Sequence, residues 1–173
     1  MGPARAKGNF SSLVPIYLAR MQRPVRSGHG IGTAGAVTTD DANSLVRRLH
    51  AEVLAARAPA VLDAFFAPDF VSHTNPPGFP EGVEGVRRFF AMFRDAMPDV
   101  DVTIDELIVD GDRAAAATTI RGTHTGELLG LPATGRRVEV VGVDLVRVRD
   151  GRIVEHRGLT DTVGLMRQLT GAD

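Results

Sequence analysis

The chain has 173 residues, with 20 basic against 21 acidic side chains and no cysteine. This length allows one domain with a real core, and the balanced charge gives no electrostatic case for nucleic acid or an anionic membrane surface. Without cysteine there are no disulfides, thiolate metal sites or cysteine nucleophile, which fits a reducing cytoplasm, and no apolar run approaches the roughly 20 residues of a membrane-spanning helix.

Residues 1–39 differ from the rest, being rich in Gly, Ala, Arg and Pro and including the run Ser27-Gly28-His29-Gly30-Ile31-Gly32-Thr33. The apolar piece Phe10 to Met21 is broken by Pro15 and Arg20, unlike the clean core of a signal peptide. A flexible N-terminal extension is expected over 1–39 and a folded domain over 40–173. Asp40-Asp41 supply an N-cap for a first helix carrying Leu45, Val46, Leu49, Val53 and Leu54 at helical spacing and ending near Arg57. His50 falls among Arg47, Arg48 and Glu52 and is expected to be solvated. Pro59 suits the first turn of a short second helix with Val61, Leu62, Phe65 and Phe66, stopped by Pro68. Phe70 to His73 reads as a short strand and Asn75 to Pro80 as a stiff loop. Val83 to Met97 returns to helical spacing, with Val86, Phe90, Phe93 and Met97 on one face and Pro98 at the end.

From Val100 the period changes to two. Val100, Val102 and Ile104 alternate, then Leu107 and Val109 continue with shifted parity, which predicts a bulge near Asp105-Glu106. Asp110-Gly111-Asp112 forms a turn, and Arg113 to His124 a strand whose interior, Ala114 to Ala117, is small. Gly126 to Gly135 is a longer loop. Two long antiparallel strands follow, joined at Asp150-Gly151. Thr160-Asp161 caps a closing helix with Val163, Leu165, Met166 and Leu169, ended by Gly171. The order of elements predicts an α+β fold, a strongly curved antiparallel sheet with helices closing one side around a small-molecule cavity. The middle of the first hairpin strand is apolar on both faces, so the outer face also needs cover, and a homodimer through the sheet would supply it.

In that strand one face carries Val138, Val140, Gly142, Asp144, Val146 and Val148, so Asp144 is the only ionisable group in an apolar row. A carboxylate there should have a raised pKa unless a partner compensates, and such groups cluster at functional sites. The partner depends on the turn. A two-residue loop sets Asp144 opposite Arg157; a three-residue loop sets it opposite His156. The second also puts Val154 on the apolar face and leaves Glu155 and Arg157 beside Arg147, and it is the expected one, though both stay open. His73, His124, Asp144 and His156 are the groups that could meet inside. Asp144 with a neighbouring imidazole favours proton abstraction beside a carbonyl, or protonation of a carbonyl oxygen, in an apolar pocket. No HxH or HExxH spacing supports a metal site.

Four stretches, Gly122-Thr123-His124-Thr125-Gly126-Glu127, Pro132-Ala133-Thr134-Gly135-Arg136, Asp150 to His156 and Gln168-Leu169, resemble the SnoaL-like polyketide (ester) cyclases of the nuclear transport factor 2-like superfamily. The resemblance runs from about Asp40 to the C-terminus. It implies a cone-shaped, curved antiparallel sheet packed against N-terminal helices, with a C-terminal helix. It implies cofactor-independent acid/base chemistry on a hydrophobic, carbonyl-containing, polyketide-like molecule, by aldol cyclisation or isomerisation, with no metal and often in a dimer or tetramer. His124 matches a pocket histidine of the family, Asp144 lies where a second pocket polar group stands, and His73 falls where an asparagine is common. The expected catalytic groups are therefore Asp144, His124 and His156, with His73, Asn75, Phe90, Phe93 and Val140 contacting substrate. The aspartate that serves as general acid/base in the family's ring-closing enzymes would lie two residues after His156, where this chain has Gly158. Either Asp144 has taken over that work, or the protein is a non-catalytic binding or dimerisation module; hydrolase or oxygenase chemistry in the same pocket is a third expectation.

Overall fold

Thr38 opens the first helix through a reciprocal capping box. Its hydroxyl accepts the Asp41 N–H at 3.2 Å, while the Asp41 carboxylate accepts the Thr38 N–H at 3.1 Å and the Thr38 hydroxyl at 2.7 Å. The cap is thus Thr38 rather than the Asp40-Asp41 pair expected, because the threonine leaves the helix while Asp41 sits one turn inside it. The computed structural model describes residues 38–55 and 61–172, with side chains over 38–52 and 61–172, all within the unit Thr33–Asp173. The expected extension lies outside the described residues apart from Thr38 and Thr39, as do Arg57, Pro59 and the side chains of Val53 and Leu54.

Helix α1 (Thr39–Ala55) is followed by the single turn α2 (Leu62–Phe65) and strand β1 (Phe66–Ser72). Then come helix α3 (Gly82–Ala96), strands β2 (Asp101–Asp110), β3 (Arg113–Thr123), β4 (Arg137–Arg149) and β5 (Arg152–Thr160), and helix α4 (Thr162–Thr170). Strand β1 starts before Pro68 instead of after it, with irregular pairing between Phe66 and Val71. Proline is tolerated there because β1 is an edge strand and leaves an N–H position unpaired. Helix α4 has the expected caps: Asp161 accepts the Gly164 N–H at 2.8 Å, and Gly171 ends the helix at φ 70°.

The strands form one curved, unclosed sheet in the order β1-β5-β4-β3-β2. β2 to β5 pair antiparallel, but β1 runs parallel to β5, so the sheet is mixed rather than wholly antiparallel. The expected bulge in β2 is present, with Ile104 opposite Thr118 and Glu106 opposite Ala117. The extra residue, Asp105, lets Val102, Ile104, Leu107 and Val109 all turn inward despite their broken parity.

Helices pack on the inner face, and the core falls into two apolar clusters. One gathers Leu45 and Val46 of α1, Phe65 and Phe70, and Val146, Val148 and Ile153 of the hairpin. The other gathers Met97, Leu128, Val138 and Val140 with Leu165 and Leu169 of α4. On β4 the buried row passes from Val138 and Val140 in the second cluster to Val146 and Val148 in the first. Gly142 and Asp144 lie on the seam between them.

Candidate functional site

The site begins with the turn at Asp150-Gly151. Both residues have positive φ (51° and 69°), as a two-residue hairpin turn requires to match strand twist. Arg149 pairs with Arg152 and Val148 with Ile153, but Arg147 pairs with Glu155, leaving Val154 as the extra residue of a bulge. Neither expected loop gives this register: Asp144 stands opposite Gly158, not Arg157 or His156. The bulge nonetheless does what the longer loop was expected to do. It turns His156 onto the face of Asp144 and leaves Arg157 opposite Leu145 on the other. Burial of the adjacent Ile153 and Val154 makes this slip favourable, since both apolar side chains reach the interior.

His156 Nε2 lies 2.8 Å from Asp144 Oδ1. The His156 side chain is 27% exposed and that of Asp144 33%, so a small molecule can reach both. Asp144 is flanked across the ladder by Ala116 on one side and Gly158 on the other, with Gly142 two residues back, so small neighbours leave its second oxygen room. The Gly158 N–H donates to Thr74 Oγ1 at 2.8 Å, and the His73 N–H to the His156 carbonyl at 2.9 Å, tying β5 to the end of β1. A carboxylate hydrogen-bonded to an imidazole beside apolar walls can exchange a proton with a bound molecule.

The other expected groups are not brought to this pair. His124 is fully buried just beyond β3, its N–H donating to Arg136. Ala116 is the β3 residue opposite Asp144, so His124 lies eight positions farther along the ladder, roughly 25 Å of extended strand. Its Nδ1 is held by Thr134 (hydroxyl at 3.0 Å, N–H at 3.3 Å), which brings the stretches around His124 and Thr134 into contact. His73 Nε2 lies 3.6 Å from Glu155, which also meets Arg147 at 3.5 Å. Glu155 and Arg147 alternate with His156 and Val146, so His73 joins a network on the outer face, away from Asp144.

Asn75 donates to the Pro80 carbonyl at 2.8 Å and closes its own loop. Phe90 packs against the first apolar cluster and Phe93 against the second, so α3 spans the seam. Val140 is buried within the second cluster. His50 is half-buried, its Nδ1 2.9 Å from the Val46 carbonyl. Thr74 was not singled out from sequence, although strand alternation from Val71 and Glu155 already sets it opposite in facing to His73. Ala116 was visible only as part of a small run.

On the outer face Val141 (59% exposed), Val143 (46%), Leu145 (49%) and Leu159 (56%) form an open apolar surface. A hollow of about 470 Å³ lies there beside Asp105, Thr160 and Val163. It is separate from the Asp144–His156 pair. No helix among the described residues is long and apolar enough to cross a membrane.

A family model described as SnoaL-like polyketide cyclase matches residues 44–169. The nogalonic acid methyl ester cyclase of Streptomyces nogalater is 34% identical over 116 residues, 62% of this chain and 82% of that protein. The aklanonic acid methyl ester cyclase DnrD of Streptomyces peucetius is 42% identical over 60 residues, 35% of this chain and 41% of its own length. Among solved structures, TsrD from Streptomyces laurentii superposes with a TM-score of 0.69 at 31% identity, covering 77% of this chain and 97% of TsrD.

Proposed function

The chain belongs to the SnoaL-like polyketide cyclase family, and from that premise we propose that it is a cofactor-independent cyclase using Asp144 and His156 as its acid/base pair. The observation that carries the reading is the 2.8 Å contact between Asp144 Oδ1 and His156 Nε2, in a row otherwise made of valine and glycine. The substrate class is a hydrophobic polyketide ester, as the names of the two Streptomyces relatives indicate for those proteins.

In this mechanism the free oxygen of Asp144 removes a proton from a carbon next to a carbonyl, breaking C–H and forming an enolate. The enolate carbon attacks a second carbonyl of the same chain, forming the ring C–C bond, and the resulting alkoxide takes the proton back from Asp144. His156 donates from Nε2 to the carboxylate throughout, fixing its orientation. Apolar walls from both clusters hold the chain folded, so the two carbonyls meet at high effective concentration. No redox step is needed. Freedom from cysteine chemistry fits work in the cytoplasm, and the exposed outer face of the sheet fits a homodimer.

The test is Asp144→Asn, assayed on nogalonic and aklanonic acid methyl esters. Turnover should fall about 10²–10⁴-fold with the melting temperature held; wild-type turnover in that variant would overturn the reading.

A second reading, a binding module without turnover, is favoured by one observation: glycine stands at 158, where the family resemblance implies an acid/base aspartate. Ligand-induced thermal stabilisation by either ester without any product would select it.

A further inference from the structure

We propose that Gly158 is a positioning residue: the absence of a side chain there is what allows Asp144 and His156 to meet. The proposal rests on the acid/base reading above and adds to it the residue that sets the geometry of the pair.

Glycine is usually required for one of two reasons, an unusual backbone or a lack of space. The backbone reason does not hold at 158, which is absent from the residues with positive φ and lies in an ordinary strand. The space reason does. The Gly158 N–H points to Thr74, away from β4, so Asp144 and Gly158 form a non-hydrogen-bonded pair. In such pairs the Cα atoms approach to about 4.5 Å and facing side chains are at their closest. A Cβ at 158 would stand 2.8 Å from Asp144 Oδ1, 2.9 Å from His156 Cε1 and 3.1 Å from His156 Nε2.

All three nearest atoms are thus side-chain atoms of the proposed pair, and none belongs to the backbone. Side-chain ends can rotate away, and Asp144 has only two torsions with which to do so. Its carboxylate would swing off the imidazole, while the strand, held by Thr74 and by the β4 ladder, stays in place. Replacing glycine within a strand also removes its extra conformational entropy in the unfolded chain, which favours the folded state. Stability and pair geometry are therefore expected to respond in opposite directions.

The experiment is a crystal structure, a thermal melt and steady-state kinetics of Gly158→Ala, with Asp144→Asn in parallel. The Asp144 Oδ1 to His156 Nε2 separation should open beyond about 3.5 Å, no longer a hydrogen bond. The melting temperature should hold or rise, and kcat on the two methyl esters should fall roughly 10–100-fold with KM little changed. A pair still bonded at its present length would overturn the proposal, as would a melting temperature that drops together with activity, the mark of a purely structural glycine. Failure of the acid/base reading looks different: Asp144→Asn would retain turnover, whatever the pair separation in the alanine variant.

Discussion

Thr134 grips Nδ1 of His124 from two sides, with its hydroxyl at 3.0 Å and its backbone N–H at 3.3 Å. Nδ1 accepts the Thr134 backbone N–H, and the fully buried imidazole joins the end of β3 to the approach to β4. His124→Ala should therefore cost about 1–3 kcal/mol, seen in calorimetry as a melting temperature lower by roughly 3–10 °C. An unchanged melt would show that this clasp does not stabilise the fold.

His73 should matter little to catalysis. Its imidazole faces Glu155 and Arg147 on the outer side of the sheet, not the Asp144–His156 pair. His73→Ala is expected to keep kcat and KM within about twofold of wild type, because its imidazole stands 3.6 Å from Glu155 and does not touch the Asp144–His156 pair. Loss of turnover without loss of stability would return His73 to the active site.

Gln168 stands in for a strand beside β4. Residues 137–141 extend past the pairing with β5, and Gln168 Oε1 accepts the Glu139 N–H at 2.8 Å while Nε2 donates to the Glu139 carbonyl at 2.7 Å. Gln168→Met keeps the volume and removes both bonds, so it should destabilise by about 1–2 kcal/mol in urea titration. Equal midpoints for the two proteins would mean that water replaces the amide without cost.

Asp99 gives the fold an acid sensitivity. Its carboxylate accepts the Thr123 N–H and the Thr123 hydroxyl, each at 2.7 Å, and the backbone bond, then the hydroxyl bond, hold its pKa below the ordinary 3.8. A folded-state pKa below the unfolded one gives stability that is complete above 3.8 and is lost as pH falls through the folded value. Asp41, bonded by Thr38, and Asp69, bonded by Arg149, are lowered in the same sense. Asp99→Asn should melt below wild type at pH 7, and the gap should close as pH falls below 3.8. A gap that widens in acid would reverse the sign argued here.

The outer face offers a test of assembly. Val143 and Leu145 are neighbours on β4, both near half exposed. Val143→Arg or Leu145→Glu should leave the melt of an isolated subunit unchanged but convert the proposed dimer to monomer by light scattering, since a lone charge cannot be desolvated in a symmetric apolar contact. A wild-type protein that is already monomeric at the highest working concentration would remove the homodimer.

Much of this molecule is written in local pattern. The parity slip at Asp105-Glu106 announced its bulge, Asp150-Gly151 announced its turn, and the alternation of β4 singled out Asp144 as the one charged group of its row. Register and pairing partner were another matter. Ile153 and Val154 are both apolar, so no break in polarity marks which is the bulged residue, and one position of slip decides whether Asp144 faces Arg157, His156 or Gly158. The parallel partnership of β1 with β5 joins segments some eighty residues apart, beyond any local rule. The separation of His124 from Asp144 follows from counting along the β3–β4 ladder, but only once their pairing is known. The chain by itself thus determined its elements and one stranded carboxylate. The folded sheet decided which imidazole reaches that carboxylate, because cross-strand distance depends on register, and register is settled by the burial of all five strands together.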